Sequence, residues 1–279
     1  MAKRNSKYWQ TRLLKQQEHL FDNIVGQTEK ELALSYLRLE QKVENELNRL
    51  LLEIIKDRNS IEFNVADLYK YQRYYDLENF IREQLNKMGV KEYEVMTKAF
   101  TDMYKENYKI VGKYYGSISN KIDKKKVEQV INEYWAGNEN FSSRIWKNKA
   151  LLNESLKNSL VDVVALGESH DKVAMSVMKD FGVSYNNAIR LARTEITRVQ
   201  NESTIQRYKD SGITQYEVVV AADERTCDIC SSLEGKKYYV DEVDLGVNCP
   251  PFHPNCRCAL LAVINDVEYE DAPNYHPER

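Results

Sequence analysis

Cysteine is missing from the first 226 residues of this 279-residue chain, proline does not occur before Pro250, and glycine is sparse, with 10 in all. The first absence excludes a disulfide framework over most of the sequence. The other two leave little to break a helix, so long helices are expected across the first two hundred residues. No stretch approaches the roughly 18 consecutive apolar residues that span a bilayer, which argues against a membrane-embedded role. A strong basic excess is also missing: the net charge is -3, unlike that of a protein that coats DNA. The start, "MAKRNSKYWQTRLLKQQEH", has no apolar core and no cleavage site, so it does not read as a secretory signal and a reducing cytoplasm is the expected first compartment. Phosphate-binding glycine loops, H-E-x-x-H and the H-x-E with P-C-x-x-C deaminase signature do not occur, and Ser/His/Asp grouping cannot be read from scattered histidines.

What is present is helical periodicity. In "EKELALSYLRLEQKVENELNRLLLEIIKDRN" the apolar residues Leu32, Leu34, Leu37, Leu39, Val43, Leu47, Leu51, Ile54 and Ile55 recur at helical spacing. "NVADLYKYQRYYDLENFIREQLNKMG" and "VKEYEVMTKAFTDMYKENYKIVGKYYG" repeat the pattern, each closing on a glycine that suits a helix C-terminus. Three further helices are expected over "KKVEQVINEYW", "FSSRIWKNKALLNESLKNSLVDVVALG" and "YNNAIRLARTEITRVQNESTIQRYKDSG", the last capped by Ser184 and closed by Gly212. "MKDFGVSYNNAIRLART" has the rhythm of a helix-turn-helix, or simply of a tight helical corner without a dense basic face. The 19 tyrosines fit helix seams, apolar ring in and hydroxyl out, better than base stacking. Lys3, Arg4, Lys7, Arg12 and Lys15 precede any acidic residue and read as a solvated helix start or a phosphate-touching arm.

At residue 215 the rhythm changes. "QYEVVVAAD", "KKYYVDEV" and "CRCALLAVI" are short strand candidates, and between them and at the start of the third lie all five cysteines and His253. Cys227 and Cys230 form C-x-x-C, and His253 and Cys256 form H-x-x-C, two pairs whose reach suits a tetrahedral zinc site. Pro250, Pro251 and Pro254 stiffen the second loop. Cys249 and Cys258 are alternative ligands, and the donor surplus points to a closed structural site. Spacing alone leaves disulfides or reduced thiols open, although an odd number cannot all pair. A zinc-stabilised HNH-like nuclease would need a second histidine beside His253, and only His276 in the tail follows it.

The succession "NFSSRIWKN", "AIRLARTEITRVQN", "SGITQYEVVVAADERTCDIC", "LEGKKY" and "PPFHPNCRC" resembles the Phage Mu protein F-like family, minor head or head-morphogenesis proteins of tailed bacteriophages. The resemblance runs over about residues 125 to 263. Pro250, Pro251, His253, Pro254, Cys256, Arg257 and Cys258 fit its closing motif; Asp223, Arg225, Thr226, Cys227 and Cys230 fit the D-x-R-T-C-x-x-C motif; Arg193, Thr194 and Glu195 fit the helical R-T-E motif. Cys249 is an addition to that pattern. The resemblance implies a non-enzymatic minor capsid component of the virion, in the capsid interior after assembly in the host cytoplasm. Implied partners are the portal protein, the scaffold and major capsid proteins, and double-stranded DNA that it binds or accompanies. A zinc-stabilised nucleic-acid-binding protein is the alternative.

The expected fold is α+β: a helical region over 1–116, a Mu F-like domain over 117–264 with its β-rich Cys/His cluster at 215–264, and an acidic flexible tail over 265–279. Arg193, Glu195, Asp223 and Arg225 are expected to form an ion-pair network pinning helix to sheet, or else to remain exposed charges of little weight.

Overall fold

The computed structural model describes residues 6–56, 72–115, 121–165, 170–221, 223–224 and 226–264. Among the described residues five helices come first: α1 (Ser6–Lys56), α2 (Gln72–Tyr115), α3 (Lys124–Ile131), α4 (Phe141–Ala165) and α5 (His170–Asp210). They are followed by β1 (Gln215–Val219), the single-turn helix α6 (Asp228–Ser231), β2 (Lys237–Tyr239), a 3-10 turn at Val240–Glu242 and β3 (Ala259–Ala262). This is the expected α+β class. The acidic tail over 265–279 lies outside the described residues.

The chain forms two compact units that are not consecutive in sequence. One comprises 28–96 and 141–189, the other 1–27, 97–140 and 190–279. The described residues of the first are all helical. On α1 the buried residues include Leu32, Tyr36, Leu39, Val43, Leu47 and Leu50, and on α2 they include Leu77, Ile81, Leu85, Met88, Glu92 and Val95. Both series step by three and four, the spacing of one helix face. Leu34 and Leu37, expected on the apolar stripe, are exposed instead, because that 3/4 stepping from Leu32 reaches Tyr36 and Leu39 and turns them away.

Two expected helix breaks do not occur. α2 runs through Gly89, where the missing Cβ leaves room for the Trp146 ring, which a Cβ would approach to 2.5 Å. α5 runs through Gly182, so Ser184 is not an N-cap. It is buried mid-helix with its hydroxyl 3.2 Å from that of Tyr36. The helix-turn-helix reading of this segment therefore fails: there is no turn. An interior glycine costs a helix only about 1 kcal/mol, and the apolar faces on either side outweigh it. At Gly212 the expected closure is present: φ is +73°, and the amides of Gly212 and Ile213 donate back to the carbonyls of Lys209 and Tyr208.

The second unit joins the start of α1, the second half of α2, α3 and the second half of α5 to the sheet. Its buried residues include Leu13, Val111, Ile205, Tyr208, Tyr216, Val218, Leu260 and Leu261 together with four of the cysteines. The sheet is antiparallel with order β2-β1-β3. Val219 pairs with Ala259 and Tyr216 with Ala262, and the amide of Val263 donates to the carbonyl of Gln215. In this register residues 259, 261 and 263 bond to β1, and the carbonyls of the alternate residues face the other way.

Candidate metal centre

Two loops converge on the core of the second unit. In the first, Cys227 stands in extended backbone at the start of α6, and the amide of Ser231 donates to its carbonyl at 2.9 Å. One helical turn thus carries both members of C-x-x-C to the same side. The second loop runs from Cys249 through Pro250 and Pro251 to His253. It turns at Asn255, which takes φ +60°, a left-handed conformation that asparagine tolerates, and continues through Cys256 and Cys258 into β3.

The Nε2 of His253 lies 3.2 Å from Cys227 Sγ and 3.0 Å from Cys230 Sγ, while Cys230 Sγ lies 3.9 Å from Cys256 Sγ. Two triads, Cys227/Cys230/His253 and Cys230/Cys256/Cys258, each have ligand atoms within 4.8 Å of one another, and they share Cys230. With zinc-ligand bonds of about 2.3 Å to sulfur and 2.0–2.1 Å to nitrogen, a tetrahedral site has sulfur-sulfur edges of ~3.8 Å and sulfur-nitrogen edges of ~3.6 Å. The Cys230–Cys256 separation lies close to the sulfur-sulfur edge, and the His253 separations of 3.2 and 3.0 Å are shorter than the sulfur-nitrogen edge, at hydrogen-bond length. His253 Nδ1 is 2.8 Å from the carbonyl of Pro254, which can only accept, so Nδ1 carries the proton and Nε2 turns its lone pair toward the thiols.

Burial pushes the Cys230 thiol up to about 12. The S–H of Cys258 donates to Cys256 and lowers it to about 5, while Cys258 is raised by the same bond. Burial also raises Cys249. These shifts favour a Cys256 thiolate beside neutral Cys230 and Cys258 thiols. A divalent cation would supply the charge needed to ionise the others.

The expected ligands Cys227, Cys230, His253 and Cys256 lie in these two triads, as does the alternative Cys258. Cys249 belongs to neither: it is fully buried, its sulfur 3.8 Å from the carbonyl of Pro250.

The expected ion-pair network has different partners. Asp223 accepts both guanidinium N–H groups of Arg257, each at 2.7 Å, which clasps the first loop to the second. Glu195 is buried and accepts from Arg198 Nε at 2.7 Å and from Trp135 Nε1 at 2.9 Å. Arg193 is exposed on α5, and Arg225 lies outside the described residues. The helix is joined to the metal loop through neutral groups that residue-type reasoning passed over, because salt-bridge reasoning looks only at charge. Thr194 accepts the amide of Asn255 at 3.0 Å, Thr197 donates to the carbonyl of Cys256 at 2.7 Å, Asn201 donates to that of Cys258 at 3.1 Å, and Tyr208 to that of Leu260 at 3.0 Å. The available signal was the spacing of these side chains, by three, four and seven along one helix face.

Residues 154–261 match the family model described as Phage Mu protein F like protein. The match supports the resemblance to that family over this segment. The Mu F-like match begins within α4, takes in α5 and the Cys/His loops, and reaches into β3, so it includes every residue of both triads. The NAD(+)--arginine ADP-ribosyltransferase EFV of Enterococcus faecalis is 26% identical over 160 residues, which cover 52% of this chain and 32% of that relative. The chain thus spans about a third of the length of this curated relative. No solved structure matches.

Proposed function

We propose that the chain is a structural component of a phage head that acts in head assembly at the portal, with its Mu F-like module stapled by one zinc ion. The observation that carries the head-assembly reading is the family match over 154–261. The zinc reading is supported by the donor chemistry of the cluster it encloses. Zinc would be held by Cys227, Cys230, His253 and Cys256, with Cys258 as the exchangeable fifth donor. Bound there, it would supply a cross-link between two loops of a three-stranded sheet that is small for folding on burial alone. Scaffold and major capsid proteins complete the proposed partners, and the virion interior the location. Contact with double-stranded DNA would run through the basic start of α1, where Lys7, Arg12 and Lys15 lie. Among the described residues no helix is long and apolar enough to cross a membrane.

The test is composition. Gradient-purified heads should contain the chain in few copies together with the portal protein, and its absence from them would sink the proposal. Arginine ADP-ribosylation, the activity for which the relative from Enterococcus faecalis is named, belongs to a protein of which this chain matches about a third. Under the structural reading, the purified chain should transfer no ADP-ribose from NAD+ to an arginine acceptor. Elemental analysis should find about one zinc per chain.

A further inference from the structure

We infer that Thr197 and Asn201 of α5 are positioning residues for the metal centre, setting where the thiols of Cys256 and Cys258 stand and coupling metal uptake to this helix. The inference rests on reading the Cys/His cluster as a metal site. It starts from the sheet. β3 is an edge strand, and an edge leaves every second amide and carbonyl without a strand partner. The register turns the carbonyl of Leu260 away from β1, and the carbonyls of Cys256 and Cys258, in the segment that leads into β3, are taken by the same helix.

α5 takes the place that a fourth strand would occupy. Thr197, Asn201 and Tyr208 each give one donor to the carbonyls of Cys256, Cys258 and Leu260 in turn, so helix spacings of four and seven meet a strand spacing of two. Helix rise is 1.5 Å per residue and strand rise about 3.4 Å, so four helical residues and two strand residues cover nearly the same length. These donors are committed to the contact. The two amide hydrogens of Asn201 go to the carbonyls of Thr197, at 2.9 Å, and Cys258. The single hydroxyl hydrogen of Thr197 has Cys256 at 2.7 Å as its nearer acceptor, against Arg193 at 3.1 Å. Both side chains are buried, so water cannot substitute.

Holding the carbonyl of a residue restrains the peptide plane attached to its Cα and so narrows the range its Cβ and thiol can occupy. Thr197 and Asn201 thus aim the thiols of Cys256 and Cys258 without touching the ion. On the opposite flank Arg257, between the two cysteines, is held by Asp223. The segment 256–258 is anchored on both sides, and its thiols are left to face Cys230.

The experiment uses the full chain, reduced and freed of metal by a chelator, then titrated with zinc against a chromophoric competitor. Thr197→Val and Asn201→Leu should each weaken zinc binding by about 10- to 100-fold, the usual effect of removing an outer-shell partner. Thr197→Ser, which keeps the donor, should restore wild-type affinity. Hydrogen exchange of the wild-type chain gives a readout independent of any variant's folding: zinc should slow the amides of 194–208 as well as those of the two ligand loops. Zinc uptake that Thr197→Val leaves unchanged, or zinc protection confined to the loops, overturns this inference alone. Failure of the wild-type chain to take up zinc overturns the metal reading and this inference with it.

Discussion

Lys149 and Glu92 meet inside the unit formed by 28–96 and 141–189, Nζ to Oε2 at 2.6 Å, with both side chains almost wholly buried. The Tyr36 hydroxyl touches both, and Asn148 donates to the carbonyl of Ser184 beside them at 2.9 Å. Burial raises the Glu92 carboxyl and lowers the Lys149 ammonium, so desolvation works against both charges. Removing one partner leaves the other charge buried and uncompensated. Lys149→Met should therefore destabilise the chain by about 3–5 kcal/mol, whereas Lys149→Met with Glu92→Leu should be near neutral or stabilising, as read from denaturant midpoints. Glu202 makes a different prediction. Burial raises its carboxyl to about 8 despite the pull of Arg198, whose guanidinium it contacts. Between the ordinary carboxyl value and 8 the folded chain holds a proton that the unfolded chain has lost. Its contribution is complete at acid pH and disappears as pH rises through 8. Glu202→Gln should therefore flatten the fall in stability between pH 5 and 9, measured by denaturation across that range.

At the scale of elements, close approach decides what periodicity leaves open. Arg207 of α5 is fully buried, its guanidinium 4.6 Å from the centre of the Tyr108 ring. A Cβ on Gly112 of α2 would stand 2.2–2.6 Å from that guanidinium. Gly112→Ala should cost about 1–3 kcal/mol through overpacking, visible as a lowered melting temperature with helix content retained. The 3/4 stepping of apolar residues made the helices legible, since their buried faces follow directly from it. Their true lengths were not legible. Gly89 and Gly182 look like stop signals, and only the packing on either side keeps α2 and α5 continuous through them. The strands were legible from β-branched alternation, but not the role of the helix beside them. Thr194, Thr197 and Asn201 read as ordinary polar residues until the edge of β3 lies against them.

For the molecule as a whole, the cluster of thiols and His253 ties the two loops that leave the sheet. Cys227→Ser should abolish zinc uptake and lower the melting temperature of the full chain, while Cys249→Ala should keep the zinc and lose only packing. Parallel elemental analysis and calorimetry separate the two. Loss of zinc from the Cys249 variant would contradict the assignment of ligands.

Sequence alone determined that the chain is helical until a small strand-rich end, that its metal-capable chemistry lies between Cys227 and Cys258, and that five ordered motifs resemble one family. Each follows from local facts: residue type, spacing, and the absence of proline and early cysteine. Tertiary structure decided which donors converge, that Asp223 pairs with Arg257 and Glu195 with Arg198, and that Cys249 lies apart. It also set the neutral side chains of α5 against the edge of β3. Those outcomes depend on which groups burial brings together across tens of residues, where a polar atom must take the partner that packing leaves within reach.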